Sequence, residues 1–103
     1  MQNKILSLLS LAAKAGKVKS GDLQTEISVK KGEAILVIAA GDASLNTMKH
    51  FKDMCAYRKI PIYVYSVKEE LGRHIGRNER AVIAVTDYGL GNRLISALEE
   101  EKK

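Results

Sequence analysis

Three short apolar runs, Ile35 to Ala40, Ile62 to Tyr65 and Ala81 to Val85, interrupt a chain that is otherwise helix-periodic. Apolar runs without strict polar alternation are expected of strands covered on both faces. Ile5, Leu8, Leu9 and Ala12 recur at helical spacing ahead of Gly16, so Asn3 to Ala15 reads as an amphipathic helix. A second helix is expected from Ser20-Gly21-Asp22 to Lys30-Lys31-Gly32, its basic residues complementing the C-terminal dipole. Gly41-Asp42-Ala43-Ser44 offers a turn and an N-cap, after which Met48, Phe51 and Cys55 carry a third helix to about Arg58, with Cys55 in the core. Pro61 opens the second strand, and Ser66-Val67-Lys68-Glu69 reads as a capping box starting a short helix. Asp87, followed by Leu90, Leu94, Ile95 and Leu98, marks a terminal helix. Doubly covered strands alternating with helices predict an α/β fold, a three-layer α/β/α sandwich around a mostly parallel or mixed sheet of about four strands.

The length of 103 residues fits one domain, expected over residues 1–98, with 99–103 a charged, disordered tail. Ser7, Ser10, Lys14 and Lys17 interrupt the amino-terminal apolar stretch well short of a membrane span, so neither a signal peptide nor a transmembrane helix is expected. The single cysteine cannot form an internal disulfide, which points to a reducing cytoplasm. The chain holds 17 Lys+Arg against 12 Asp+Glu, a net charge of +5, and Glu99, Glu100 and Glu101 mask part of the basicity of the body. Lys14, Lys17, Lys19, Lys30 and Lys31 fall near expected helix ends, where they are placed to form one positive face.

The most basic segment is the connector Leu71 to Arg80, in which Arg73, His74, Ile75, Gly76, Arg77, Asn78 and Arg80 lead into the third strand. Its glycines permit close approach to a ligand, and its planar guanidinium forks suit phosphate oxygens and guanine edges. The structural alternative is that the glycines cap a helix and the arginines form a solvated rim. A second candidate surface is the amino end of the second helix, where free N–H groups and positive dipole attract phosphate, Gly21 lets a backbone come close and Gln24 can read base edges. Gln24 as an ordinary solvated residue is the alternative there.

Catalytic apparatus is not visible. His50 and His74 fall on different elements without a partner at zinc-ligand spacing, and Cys55 sits on an apolar helix stripe rather than beside a base. No glycine-rich lysine loop follows a strand, and Gly89-Leu90-Gly91 lacks the third glycine of a dinucleotide site. Asp42 stands without a paired carboxylate and reads equally well as a cap. No cofactor, metal or small-molecule substrate is expected, and a nucleotide-binding enzyme is the least favoured class.

Lys19-Ser20-Gly21, Gly32, Leu36-Val37-Ile38-Ala39 with Asp42-Ala43-Ser44, Asn46-Thr47, Cys55, Ile60-Pro61, Glu70-Leu71-Gly72, Ile75-Gly76 and Ala84-Val85-Thr86-Asp87 form an ordered series. Over nearly the whole chain it resembles the kink-turn-binding ribosomal protein family, the archaeal L-seven-Ae and eukaryotic L-thirty-e group, in its small bacterial YlxQ-like branch. The resemblance implies an α/β/α sandwich that binds sharply bent RNA at tandem sheared G·A pairs, with no reaction. Family members read those pairs with a Gly-x-Asn-Glu-x-x-Lys stretch at the start of the second helix. Here Gly21 matches the glycine, while Leu23, Gln24 and Ile27 stand where the asparagine, glutamate and lysine are found. The resemblance also implies RNA-facing roles for Lys31, Asp42 and Lys68, and a loop after Gly76 that covers unpaired bases but is more basic here. Each lost base contact costs about 1–3 kcal/mol of discrimination.

One conflict is left open by the residues themselves. Helical spacing allows Leu23 and Ile27 to enter the core, whereas the resemblance turns them toward RNA and places Thr25 and Val29 inside. The expected function is a non-catalytic, ribosome-associated RNA-binding protein, acting as a monomer on kink-turn or similarly bent RNA away from membranes. The alternative from another class is a protein-interaction or ribosome-associated adaptor that keeps the fold without specific G·A recognition.

Overall fold

The computed structural model describes residues 3–102. In chain order the elements are α1 (Lys4–Lys14), β1 (Val18–Ser20), α2 (Asp22–Lys30), β2 (Leu36–Ala39), α3 (Leu45–Arg58), β3 (Ile62–Val64), α4 (Lys68–His74), β4 (Val82–Val85) and α5 (Tyr88–Glu101). Side-chain caps fix three helix starts. Asn3 accepts from Leu6 N–H, Ser44 from Thr47 N–H and Asp87 from Leu90 N–H, each satisfying a donor that a first helical turn leaves open.

The strands build one mixed sheet in the order β1-β4-β2-β3. β2 and β3 run parallel across the α3 connection, whereas β4 is antiparallel to both β1 and β2. The central strands β2 and β4 are buried at every position, which explains why their sequences show no polar alternation. Leu36, Ile38, Ile83 and Val85 pack with the layer of α1, α4 and α5, where Leu9, Leu71 and Leu94 have no exposed surface. Val37, Ala39, Val82 and Ala84 pack instead with Val29 of α2 and with Phe51 and Cys55 of α3. The three layers expected from the sequence are therefore present, and the sheet is mixed. No helix among the described residues is long and apolar enough to cross a membrane.

Three local expectations are corrected. The fourth strand, β1, is a three-residue edge strand pairing Val18 with Val85 and Ser20 with Ile83, and its sequence Val-Lys-Ser carries no apolar run to announce it. The capping box does not form as read: the N-cap of α4 is Val67, Ser66 takes a positive φ of 62° and donates to the Glu70 carboxylate, and Asp42 Oδ1 caps the helix by accepting from Lys68 N–H at 2.8 Å. The carboxyl-terminal tail is not disordered from residue 99, because α5 continues to Glu101. Its last turn is tied to β3 by the Tyr63 hydroxyl donating to Glu99 and by Lys102 Nζ over the Tyr63 ring, 5.5 Å from its centroid. The Glu99 carboxylate that accepts this bond pushes the Tyr63 hydroxyl up to about 12. Lys103 lies outside the described residues.

Candidate nucleic-acid interface

Gly21 sets the amino end of α2. Its φ of 89° lies in the region that favours glycine, its N–H donates to Val82 O at 3.0 Å, and its carbonyl accepts from Thr25 N–H at 3.0 Å. As an N-cap without a side chain it brings no acceptor to the first turn, whose N–H groups stay open to solvent or a ligand, while the Asp22 carboxylate at the first helical position complements the positive dipole end. The anchor on β4 also fixes the rotation of the helix. Thr25 and Val29 are fully buried, Leu23 is 68% exposed, and Ile27 is half-buried. The register implied by the resemblance is thus the one adopted, and the core placement of Leu23 and Ile27 that periodicity allowed is overturned.

The basic connector is folded back onto α4. Arg77 N–H donates to Gly72 O at 2.8 Å and Arg80 N–H to Lys68 O at 3.1 Å, across a turn at Gly76 with φ of 74°. This return passes so close to the helix that a Cβ on Gly72 would stand 1.9 Å from the Asn78 carbonyl oxygen. The end of α4 is held on α1 by Ser10 Oγ, which donates to His74 O at 2.8 Å. His74 is half-buried with its Nδ1 3.0 Å from the Glu70 carbonyl, which orients its ring on the helix.

The two segments meet. A cleft of about 420 Å³ lies between them, lined by Ala13, Val18, Lys19, Ser20, Gln24, Ile75, Arg77 and Arg80. Lys19, Gln24 and Arg77 are exposed, and among the described residues Lys19 and Arg77 make no ion pair. Arg73, one helical turn back, forms exposed, solvent-screened ion pairs with Glu69 at 3.0 Å and Glu70 at 3.8 Å and does not line the cleft. The cleft is lined by three cations, Lys19, Arg77 and Arg80, and by the Gln24 amide beside the start of α2. That combination suits a phosphodiester backbone with a base edge beside it.

Residues 3–95 match the ribosomal protein L7Ae/L30e/S12e/Gadd45 family. The chain belongs to this family. It is 44% identical over 92 residues to the RNA-binding protein YlxQ of Bacillus subtilis, covering 89% of this chain and 92% of that protein. It is 30% identical over 108 residues to the large ribosomal subunit protein eL8 of Thermoplasma volcanium, covering 100% of this chain and 89% of the relative. Among solved structures, a Bacillus halodurans protein of unknown function superposes with a TM-score of 0.92 at 39% identity, over 95% of this chain and 99% of that one. The Giardia lamblia 15.5kD RNA binding protein shares the fold with a TM-score of 0.82 at 23% identity, over 99% of this chain and 91% of that one.

In this L7Ae-family member the remaining residues singled out by sequence fall elsewhere. Lys31 lies at the carboxyl end of α2, where Lys30, Lys31 and Arg58 line a separate groove. Asp42 and Lys68 are brought together, but as the cap of α4 rather than as lining of the cleft. Leu23 flanks the α2 amino end as an exposed apolar side chain, and Gly76 and Asn78 sit on the exposed rim of the loop. Sequence reasoning missed Ala13, Val18 and Ser20 as parts of the site. Ser20 carried a signal, since it directly precedes Gly21, but its partner lies 60 residues away.

Proposed function

We propose that this chain is a non-catalytic RNA-binding protein that captures a kink-turn or similarly bent RNA in the cytoplasm, as a monomer associated with the ribosome. The observation that carries the proposal is the single cleft joining Lys19 and Gln24 of the β1–α2 corner to Arg77 of the connector. Family membership and the names of the Bacillus and Thermoplasma relatives support the same reading. Lys19 and Arg77 bind phosphates on either side of the bend, the α2 amino end receives backbone oxygens, and Gln24 faces the G·A pairs. Leu23 supplies an apolar contact for an unstacked base where relatives carry a polar reader. Binding then stabilises the kinked conformer over the extended one in proportion to the difference in affinity. Cys55 takes no part: burial pushes its thiol up to about 11, which keeps it protonated and unreactive.

Titration of a fluorescently labelled kink-turn RNA, and of the same RNA with its G·A pairs replaced, tests this across a series of salt concentrations. Tighter binding of the intact RNA by about tenfold or more is expected, the size of one or two base contacts. Equal affinity for both overturns specific recognition. The exposed Leu23 favours a second reading, an adaptor that docks a protein through this apolar residue, and loss of RNA binding with retained capture of one defined ribosomal polypeptide supports it.

A further inference from the structure

We propose that Arg80 is a positioning residue: its guanidinium clamps the 76–80 loop to the β1–α2 corner, so that the RNA cleft is formed before RNA arrives. This rests on the RNA-binding reading above. The loop carries little of its own to hold it in place. Residues 76–79 are exposed, and its backbone hydrogen bonds, Arg77 N–H to Gly72 O and Arg80 N–H to Lys68 O, all run to α4. Those bonds set the loop on α4, and the backbone tie to the β1–α2 corner, Gly21 N–H to Val82 O, lies beyond the loop on β4, so among the described residues no backbone bond joins residues 76–80 themselves to that corner.

The Arg80 side chain supplies that link. Its Nε donates to Ser20 Oγ at 3.0 Å, which among the described residues is the side-chain hydrogen bond joining the loop to β1 or α2. Its Nη1 turns back to the loop's own carbonyls, to Glu79 O at 2.9 Å and Asn78 O at 3.4 Å. Three of the five N–H bonds of a guanidinium are thereby committed within the protein, in the planar fork that only arginine offers. The stem passes 4.0 Å from the Cβ position of Gly21, so the clamp lies directly over the N-cap of the reading helix. Asn78 O, one of the carbonyls it holds, is also the atom that approaches Gly72 most closely, so clamp and α4 grip the same peptide from two sides. A cation devoted to phosphate would instead keep its donors open, as exposed Arg77 does.

Pre-forming a site removes the ordering cost from the binding step and speeds productive encounter. Five proteins therefore separate positioning from charge: wild type, Ser20→Ala, Arg80→Lys, Ser20→Thr and Arg80→Gln. Ser20→Ala leaves every cation in place but removes the acceptor of the clamp, and Arg80→Lys keeps the charge but not the fork. Both are expected to bind kink-turn RNA about tenfold more weakly, the scale of a charge-assisted hydrogen bond. The slope of affinity against salt stays unchanged, and the loss appears partly in the association rate. Ser20→Thr, which restores the hydroxyl, recovers binding. In the RNA-free proteins, amide exchange at Arg77 and Arg80 speeds up for Ser20→Ala and Arg80→Lys, while the unfolding midpoint falls only by the amount one lost hydrogen bond allows. Wild-type affinity in both Ser20→Ala and Arg80→Lys, with a salt slope that falls by about one only in Arg80→Gln, overturns positioning and makes Arg80 a phosphate ligand. Unchanged amide exchange in Ser20→Ala overturns it as well. If wild-type protein fails to distinguish intact from G·A-replaced RNA, the functional reading fails, and the exchange measurement still decides the clamp.

Discussion

The two ends of α2 carry similar charge and do opposite things with it. At the carboxyl end Lys30 is paired with Glu26 at 2.8 Å, Arg58 Nη1 donates to Lys30 O at 2.9 Å, and Gly32 closes the helix with open space around it. These cations complete the helix: they satisfy a terminal carbonyl and a neighbouring carboxylate, as a C-terminal dipole favours. At the amino end the N-cap is a bare glycine, Lys19 and Arg77 flank it without ion pairs among the described residues, and a loop from 55 residues further along the chain walls the groove. The lesson is that basic composition does not locate a nucleic-acid site. A cation whose donors are already used inside the protein contributes little to a phosphate contact, and what distinguishes the amino end is unspent donors converging on one groove.

The sharpest way to break this contrast is to disturb the backbone at each end. Gly72→Ala places a methyl where the Asn78 carbonyl stands 1.9 Å away, so the connector must leave α4. Its unfolding free energy is expected to drop by about 1–3 kcal/mol, the usual cost of overpacking, and RNA affinity to fall more than tenfold. Gly32→Ala meets no atom within 4 Å and suffers only the penalty of its positive φ, about 1 kcal/mol, with RNA affinity retained. Denaturant unfolding and RNA titration on both proteins check the pair. Loss of RNA binding in Gly32→Ala erases the distinction between the ends.

A smaller effect separates the cations themselves. Arg77→Ala is expected to weaken RNA binding several-fold and to reduce the salt slope by about one, as for the loss of one phosphate contact. Lys30→Ala, whose ammonium is engaged by Glu26, leaves both quantities near wild type. Lys31→Ala decides how far the interface runs: a change in slope as large as that of Arg77→Ala extends the RNA along the whole of α2, and no change confines it to the amino half.

How much of this was legible in the sequence follows from how local each determinant is. The doubly covered strands β2 and β4 are legible because every residue is apolar, and the spacing of Cys55 from Phe51 puts it in the core. The face of α2 was not legible from periodicity, since Leu23 and Ile27 repeat as well as Thr25 and Val29. What decides it is the anchor of Gly21 on Val82, with the Thr25 hydroxyl at a long 3.5 Å from the same carbonyl, and both belong to a strand 57 or more residues away. β1 is too short and too polar to register as a strand, yet it forms the floor of the cleft. Sequence points to Ser66, the neighbour of α4, as its cap, whereas Asp42 supplies it from 26 residues earlier. The candidate site was therefore legible as two segments with the right chemistry, while their junction through Ser20 and Arg80 required the tertiary fold.

The smallest effect sits midway along α2, where the contrast between its ends should vanish. Glu26 accepts from Lys30 Nζ at 2.8 Å and shares a hydrogen bond with His50 Nε2 at 3.0 Å, joining α2 to α3. These two partners, Lys30 foremost, hold the Glu26 carboxyl below the ordinary glutamate range in the folded state. A carboxylate whose folded value is depressed adds stability that is fully present above the unfolded glutamate range and is lost as pH falls through the folded value. The acid limb of the stability curve is therefore expected to be slightly flatter in Glu26→Gln than in wild type, with the two curves separating most above the glutamate range. Because Glu26 is partly exposed, solvent screens the interaction and the difference stays small. RNA affinity at neutral pH should not change, since the Glu26 network lies on the α3 side of the helix while the cleft lies at its amino end. A Glu26→Gln protein that gained RNA affinity would show that this carboxylate competes for Lys30, and that the cations of the carboxyl end are held in reserve for RNA rather than spent on the fold.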